Sequence, residues 1–566
     1  MHTIPTWHNV NLAQGFREPS QYGVLAADPA LRAATYRIYD TVMGTYGQFA
    51  GGGFAGDENC RPHFGDPRQG FETCGFVEYM HSFELLTRMT GDPVWADRCE
   101  DIAFNSLPAA FDPEQKGTHY VTSANSVQLD DVAKTDGQFQ NRFAMQAYMP
   151  GVHNYRCCPH NYGMGWPYFA EELWLATFDA GLCASMYAAS TVKAKVGKDA
   201  TNVTITADTT YPFDENVQFK VAPDKAVSFP LYLRVPRWCA AAPELRVNGS
   251  RLTLPAAKTP GYIRVERVWQ AGDTVQLRLP MRVATRTWRS NHSSVSVDRG
   301  PLTYSLEIQE NWRRSGGSDA WPEYEVIAGS AWNYGLDGGT ITSRRRTPSG
   351  SDPFTREGVP LELRARARRI PNWRVDRQNV VRTLQDGPVA SAEKAETVSL
   401  IPMGAARLRI TSFPVIGHGP DAHQWILPPN TSASHVWQGD TTEALCDGVE
   451  PSGSGDQSIP RFTWWDHQGT TEWVQYEFDK PLQAASAAVY WFDDTGAGAC
   501  RVPVSWRLLY IDGTAWKPVQ NPSGYGVARD TYNKVTFTPV TATAFRVEVQ
   551  LAGGFSGGIL EWRMNP

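Results

Sequence analysis

The run Cys157-Cys158-Pro159, followed by Trp166, Phe169, Leu173, Trp174 and Phe178 at roughly helical spacing, decides how the first third of this chain is read. Proline is at home in the first turn of a helix, so the pattern predicts a helix over 161–178. Cys158 falls at or near its N-cap, with Cys157 just outside. Vicinal cysteines are sterically poor disulfide partners, and the pair is better explained as metal ligands or a reactive thiol. Upstream, Glu72-Thr73-Cys74 opens a second helical run through Phe76, Val77, Met80, Phe83, Leu86 and Met89, stopped by Gly91-Asp92-Pro93. Positions i and i+2 do not share a helix face, so Glu72 and Cys74 must act from the first turn. Three sulfurs and one carboxylate suit a tetrahedral zinc ion, and two convergent helix N-termini would stabilise thiolates. The competing reading is a set of buried structural cysteines beside a solvated glutamate.

Outward from these motifs, further helical runs are expected near 10–25, 29–46 and 93–108, with Asp28-Pro29 and Asp92-Pro93 as helix starts. From about Ser190 the period changes to alternation, as in Val192–Val196, Val203–Thr206, Val217–Val221, Phe229–Val235 and Val275–Leu279. Val247-Asn248-Gly249 reads as a tight turn between strands. The expected organisation is a helical domain over 1–189, a β-sandwich over 190–299, a second β-domain over 300–427 and a terminal module over 436–566. The second β-domain is expected to be irregular to about Asp337, with an exposed loop between Ser343 and Gly358. The terminal module looks like a discoidin or galactose-binding-like jelly roll. Its candidate ligand contacts are Trp464, Trp465, His467 and Arg501, against the reading of a packing module without ligand.

The cysteine and glutamate motifs resemble those of the bacterial β-L-arabinofuranosidase glycoside hydrolases, in looser form through most of the chain. The resemblance implies that Glu72, Cys74, Cys157 and Cys158 bind Zn2+ and that Cys157 is the nucleophile. It also points to Glu58, after the glycine-rich turn Gly51-Gly52-Gly53, as the acid/base, although Asp57 adjoins it. His8, Glu100 and Tyr120 align with sugar-contacting positions. The family's catalytic domain is an (α/α)6 barrel, whereas five helical runs are read here before the strands begin. Met1 would then lie inside the barrel, as in a fragment or a truncated relative. The expected fold is multidomain α plus β: part of such a barrel, then β-sandwich domains and the terminal jelly roll.

Composition narrows the partners. The 566 residues carry a net charge of −6 and no Lys/Arg run that would suggest nucleic acid or a membrane surface, and no apolar stretch long enough to span a bilayer. Ser343-Arg344-Arg345-Arg346 reads as a solvated loop. Nine cysteines, odd in number and irregularly spaced, imply no disulfide scaffold, and Cys60 lies close enough in sequence to Glu58 to line the site. Twenty tryptophans suit a carbohydrate-active protein, although most belong to cores. No signal peptide is visible at Met1, while the terminal module favours an extracytoplasmic or secreted location. The oligomeric state is not legible.

The resulting expectation is a retaining exo-glycosidase that removes β-L-arabinofuranose, or a related L-sugar, from plant-type glycans. Three rivals stay open at this point. One makes Glu72 the nucleophile with Glu58 as acid/base. Another is a zinc-dependent hydrolase activating water, disfavoured because four protein ligands leave no open position. The last is a non-catalytic carbohydrate-binding protein on a truncated glycosidase scaffold.

Overall fold

The computed structural model describes residues 7–61, 66–132, 134, 146–150, 157–239, 241–254, 259–376 and 378–565. Among them are six α-helices: α1 (Asn9–Gly15), α2 (Glu18–Ala26), α3 (Pro29–Tyr46), α4 (Thr73–Thr90), α5 (Pro93–Ala109) and α6 (Cys158–Glu171). Both Asp-Pro signals act as expected. Asp28 accepts from the Ala30 amide at 2.8 Å and Asp92 from the Val94 amide at 3.0 Å, with proline in each first turn.

Two helical expectations need correction. The run over 10–25 divides into α1 and α2 because Pro19, which lacks an N–H and crowds the preceding turn, can sit only at the start of a new helix. The run over 161–178 starts earlier and stops at Glu171. Trp174–Ala176 pairs instead with Leu182–Ala184, and Phe178 lies fully exposed in the turn between them.

Helix α4 is the centre of the helical part and packs against α1, α5 and α6. Phe16, Tyr39, Tyr79, Phe83 and Trp95 meet there largely edge to face, with Phe16 and Tyr79 centroids 5.0 Å apart. Two sheets follow. One orders Gly261–Trp269, Val227–Val235, Leu182–Ala184 and Trp174–Ala176. The other runs from Ser250–Arg251 through Glu244–Val247, Asp273–Arg278, Asn216–Pro223 and Thr201–Asp208 to Ser190–Val196. Alternate residues of both, among them Phe229, Leu231, Leu233, Val217, Phe219, Val275 and Leu277, are buried in one core shared with the helices, which makes this a β-sandwich region. The chain is thus a multidomain protein of helices and β-sandwich regions.

The stretch expected to be irregular up to Asp337 forms a hairpin, Glu310–Gly317 with Pro322–Ala328. Its second strand pairs with Gln128–Leu129, and Trp312 stacks on Tyr148 at 5.4 Å. The exposed faces of this hairpin leave it little hydrophobic alternation, so the sequence pattern hides it. The arginine-rich run is also more ordered than a solvated loop. Thr342–Arg345 pairs with Leu361–Arg369, and Arg344 meets Glu362 at 2.7 Å. The last part of the chain has a core of its own, built around Trp464, Trp491, Trp506, Phe545 and Trp562. Its long strand Thr471–Phe492 pairs with Tyr532–Gln550, with Gly558–Met564 and with Asn430–Ala433.

Within the helical part Glu84 of α4 is buried, with Oε2 lacking a partner and the Cys99 thiol 3.8 Å from Oε1. Burial, with the charges of Glu172 and Glu171 added, pushes its carboxyl up to about 9. An acid whose folded-state pKa is raised binds a proton that the unfolded chain releases. Stability therefore falls as pH rises above the unfolded value and through the folded one. Glu84→Gln is expected to raise the unfolding temperature at pH 8, by roughly 1–3 kcal/mol in stability, and to change little at pH 4, as calorimetry across that range would read.

Candidate functional site

Short backbone contacts assemble the site. Gly70–Glu72 pairs with Val121–Ser123, which sets Tyr120 beside Thr73, and the Thr73 amide donates to the Tyr120 carbonyl at 2.9 Å. The Glu72 amide donates to Gly56 at 2.9 Å, drawing in the loop that carries Glu58, and the Asn9 amide donates to the Glu58 carbonyl at 2.8 Å, adding His8. The glycine-rich turn can lie this close because Gly52 has a positive φ of +79° and a Cβ there would stand 2.9 Å from Ile102 of α5.

Glu72 is the N-cap of α4 and Cys74 lies in its first turn. Cys157 is the N-cap of α6 and Cys158 its first helical residue, one position along from the expectation. The positive ends of two helices therefore face the sulfurs. Ligand atoms of Glu72, Cys74, Cys157 and Cys158 all lie within 4.8 Å of one another. Cys74 and Cys158 sulfurs are 3.7 Å apart, and Cys157 Sγ is 3.7 Å from Glu72 Oε1. Two thiolates bound at about 2.3 Å to one tetrahedral ion would be about 3.8 Å apart, so the donor set and its spacing are compatible with zinc. The neighbouring thiols Cys158 and Cys74 hold the Cys157 thiol well below its ordinary range, while the same contacts push Cys74 up. Burial, reinforced by the charge of Glu58, pushes the Glu72 carboxyl up to about 8, a cost that a bound cation would relieve. His8, Glu58 and Glu72 make a second close group, but two of its members are already hydrogen-bonded to each other and its donors are harder.

Glu58, a quarter exposed, receives the Tyr120 hydroxyl on Oε1 and His8 Nε2 on Oε2 at 2.8 Å. His8 Nδ1 accepts from the Val10 amide at 3.2 Å, so the ring proton sits on Nε2 and is donated to Glu58. The hydrogen bond to Glu58 raises the imidazole's pKa despite partial burial. The Tyr120 hydroxyl is also 3.8 Å from Cys157 Sγ, and burial raises its pKa far enough to keep it a donor. Asp57 is turned away: it is fully buried and bonded to Arg61 at 2.7 Å. Cys60 is buried in the core and lines no opening.

Glu100 does not join this cluster, and its expected contact with a sugar is not supported. It has no exposed surface, and its carboxylate binds Arg234, the Tyr211 hydroxyl at 2.6 Å and the Tyr187 amide at 3.2 Å. Arg234, fully buried on the strand Val227–Val235, also meets Asp97, so the group pins α5 to the sandwich. Sequence reading passed over Asn9. Its Nδ2 donates to Glu72 Oε2 at 2.6 Å and to the Glu58 carbonyl at 3.0 Å, fixing which oxygen of Glu72 faces Cys157. A Cβ at Gly75 would lie 2.0 Å from Asn9 Oδ1, so that glycine exists to admit the amide. A glycine next to Cys74 was the available signal.

In the terminal part a groove of about 390 Å³ is lined by Trp437, Arg461, Trp465, Phe492 and Asp494. Trp437 and Trp465 stand nearly perpendicular, 83° apart. Of the four residues singled out there, Trp465 reaches the groove and Trp464 points into the core. His467 is bound to Glu472 at 2.7 Å, and Arg501 donates to the carbonyls of Gly498 and Cys500. Among the described residues no helix is long and apolar enough to cross a membrane.

These features define a zinc-compatible centre on a helical domain followed by sandwich domains, and comparison with known proteins gives relatives of that architecture. Residues 2–171 match the model of the β-L-arabinofuranosidase GH127 catalytic domain, and residues 181–281 that of the GH127 middle domain. The first half of the chain is therefore similar to the catalytic and middle domains of this family of glycoside hydrolases. A GH127 β-L-arabinofuranosidase from Geobacillus stearothermophilus T6 is similar in fold at 22% identity and TM-score 0.53, over 72% of this chain and 59% of that one. A structure described as a glycoside hydrolase matches at 19% identity and TM-score 0.54, over 73% and 66%. A further GH127 β-arabinofuranosidase matches at 17% and 0.54, over 74% and 61%. The chain thus spans about three fifths to two thirds of the length of these structures. No curated protein matches it by sequence.

Glu100→Gln, which leaves Arg234 with less of its buried counter-charge, is expected to cost about 3 kcal/mol of stability. Denaturant unfolding of the two proteins would read the difference.

Proposed function

We propose that the chain is a retaining exo-glycosidase removing β-L-arabinofuranose, or a related L-sugar, from plant-type glycans, with Cys157 as nucleophile and Glu58 as acid/base. The observation that carries this reading is the difference in access. Cys157 is the exposed member of its cluster, whereas Glu72, the rival nucleophile, is 1% exposed and tied to Asn9. An attacking atom must reach the anomeric carbon, and a buried carboxylate at the base of a helix does not. The ready-made contacts from Tyr120 to both Glu58 and Cys157 also speak for chemistry over a relict scaffold.

Zn2+ would be held by Glu72, Cys74, Cys157 and Cys158; bound there it keeps the sulfurs deprotonated and brings no redox chemistry. In the first step the Cys157 thiolate attacks the anomeric carbon. The bond to the leaving oxygen breaks, and Glu58 gives that oxygen its proton. In the second, Glu58 takes a proton from water as the water oxygen attacks the same carbon, the C–S bond breaks and the thiolate returns. Two inversions give net retention. Tyr120 steadies whichever of Glu58 and Cys157 carries the charge, and His8 orients the carboxylate through Oε2. In the terminal module the groove lined by Trp437 and Trp465 supports a carbohydrate-binding role, since flat apolar rings suit sugar faces.

The purified chain is expected to carry one zinc ion and Cys158→Ser to lose it, with easier unfolding, by elemental analysis under reducing conditions. Wild-type protein free of zinc would sink the ligand assignment. An L-arabinofuranose-configured electrophile should label Cys157 in peptide mass spectra, and a label on Glu72 would transfer the nucleophile's role. Cys157→Ser should lower turnover on the order of 10³-fold or more, because a hydroxyl there is neither ionised nor a good leaving group. Glu58→Gln should slow natural substrates by about 10²–10⁴-fold and activated aryl glycosides far less.

A further inference from the structure

Near the strand that follows Tyr120 lies a buried group of cationic and neutral donors that the proposed chemistry does not use. Arg409–Ile410 pairs with Asn125–Ser126, just beyond Val121–Ser123. Arg407, in the bend that precedes this strand, and Arg409, its first residue, are 1% and 0% exposed. Every hydrogen bond their guanidinium groups make goes to a carbonyl. Arg407 donates to Phe111 at 2.9 Å, to Phe354 at 2.6 Å and to Gly404 at 3.1 Å, and Arg409 donates only to Arg407 at 2.9 Å. Among the described residues Arg407 Nη2 and Arg409 Nε and Nη1 have no hydrogen-bond partner.

His119 completes the group. It is buried and stacked on Tyr148 with centroids 5.0 Å apart, and burial together with the charges of both arginines keeps it neutral. Its Nε2 lies 2.8 Å from the Thr122 hydroxyl and its Nδ1 has no partner. When Thr122 donates to Nε2, the ring proton is on Nδ1 and adds one more unspent donor.

Among the described residues the carboxylates near this group, Glu310 and Asp112, hydrogen-bond to other donors rather than to either guanidinium. Glu310 accepts from the Arg407 and Leu408 amides at 2.9 and 3.2 Å and lies 3.2 Å from Trp312 Nε1. Asp112 accepts from the amides of Glu114, Lys116 and Gly117. A buried guanidinium with two unmade hydrogen bonds is costly. Water could fill only part of the need, because it must donate its own hydrogens and the groups facing it here are donors.

We propose that Arg407, Arg409 and His119 form an internal binding site for a small monovalent anion of the halide class. The anion accepts from Arg409 Nη1, Arg407 Nη2 and His119 Nδ1. Its charge offsets the two guanidinium groups near the strand Val121–Ser123 that follows Tyr120.

The test uses the full chain exchanged into sodium gluconate and titrated with sodium chloride or bromide at constant ionic strength. The unfolding temperature is expected to climb with the logarithm of halide concentration, as for any ligand that binds only the folded state. Bromide-soaked crystals should show an anomalous peak within hydrogen-bonding reach of the Arg409 guanidinium. Arg409→Met, which removes the charge and keeps the apolar stem, should leave the unfolding temperature indifferent to halide. Should that variant fail to fold, His119→Phe keeps a ring against Tyr148 and should raise the half-saturating halide concentration severalfold. No bromide peak at Arg409 overturns the site and leaves ordered water in its place, as does a halide response unchanged in the variants.

Discussion

The packing of α4 against α6 is the contact on which the rest depends. Each helix begins at the point where the other begins, so Cys74 and Cys158 meet at 3.7 Å with Glu72 and Cys157 beside them. Nothing local to either segment holds that geometry. Four donors of this kind repel one another in their charged forms, and burial raises the cost, as the displaced proton affinities of Glu72 and Cys74 record. The core that surrounds α4 supplies the restraint, and helix ends plus a soft cation are the natural means of offsetting the charge.

A second set of contacts fixes the direction in which this centre opens. Asn9 reaches between Gly75 and the Glu58 loop to hold one oxygen of Glu72 inward, which leaves the other toward Cys157. His8 and Tyr120 grip opposite oxygens of Glu58. The helical part is held in turn by the sandwich, through Arg234 lodged between Asp97 and Glu100, and by the later β-domain, whose strands at 326–327 and 409–410 return to pair with 125–129. The β-domains are therefore structural supports of the site's rear wall.

That support explains the two fates of conspicuous acidic residues. Glu100 and Glu58 were both expected to meet the substrate. Glu58 follows a turn whose glycines let it press on α5 and emerge at the surface. Glu100 lies on the inner face of α5, where a carboxylate is tolerable only with a partner, and Arg234 supplies it.

The sequence by itself determined the helix starts at Asp28-Pro29 and Asp92-Pro93, the alternation of the sandwich strands, and the four donors of the metal-compatible centre. Those signals are local: a cap, a proline, a period of two, and adjacent cysteines whose chemistry admits few explanations. Pro19 was equally local and marks the break between α1 and α2. Only the tertiary structure decided that Trp464 faces inward while Trp465 lines a groove, that the hairpin at 310–328 lies on the helical domain, and that Asn9 positions Glu72. It alone also brought Arg407, Arg409 and His119 together with donors left unpaired among the described residues. These outcomes depend on which surfaces meet across hundreds of residues of chain, and no spacing within one segment encodes the identity of a distant partner.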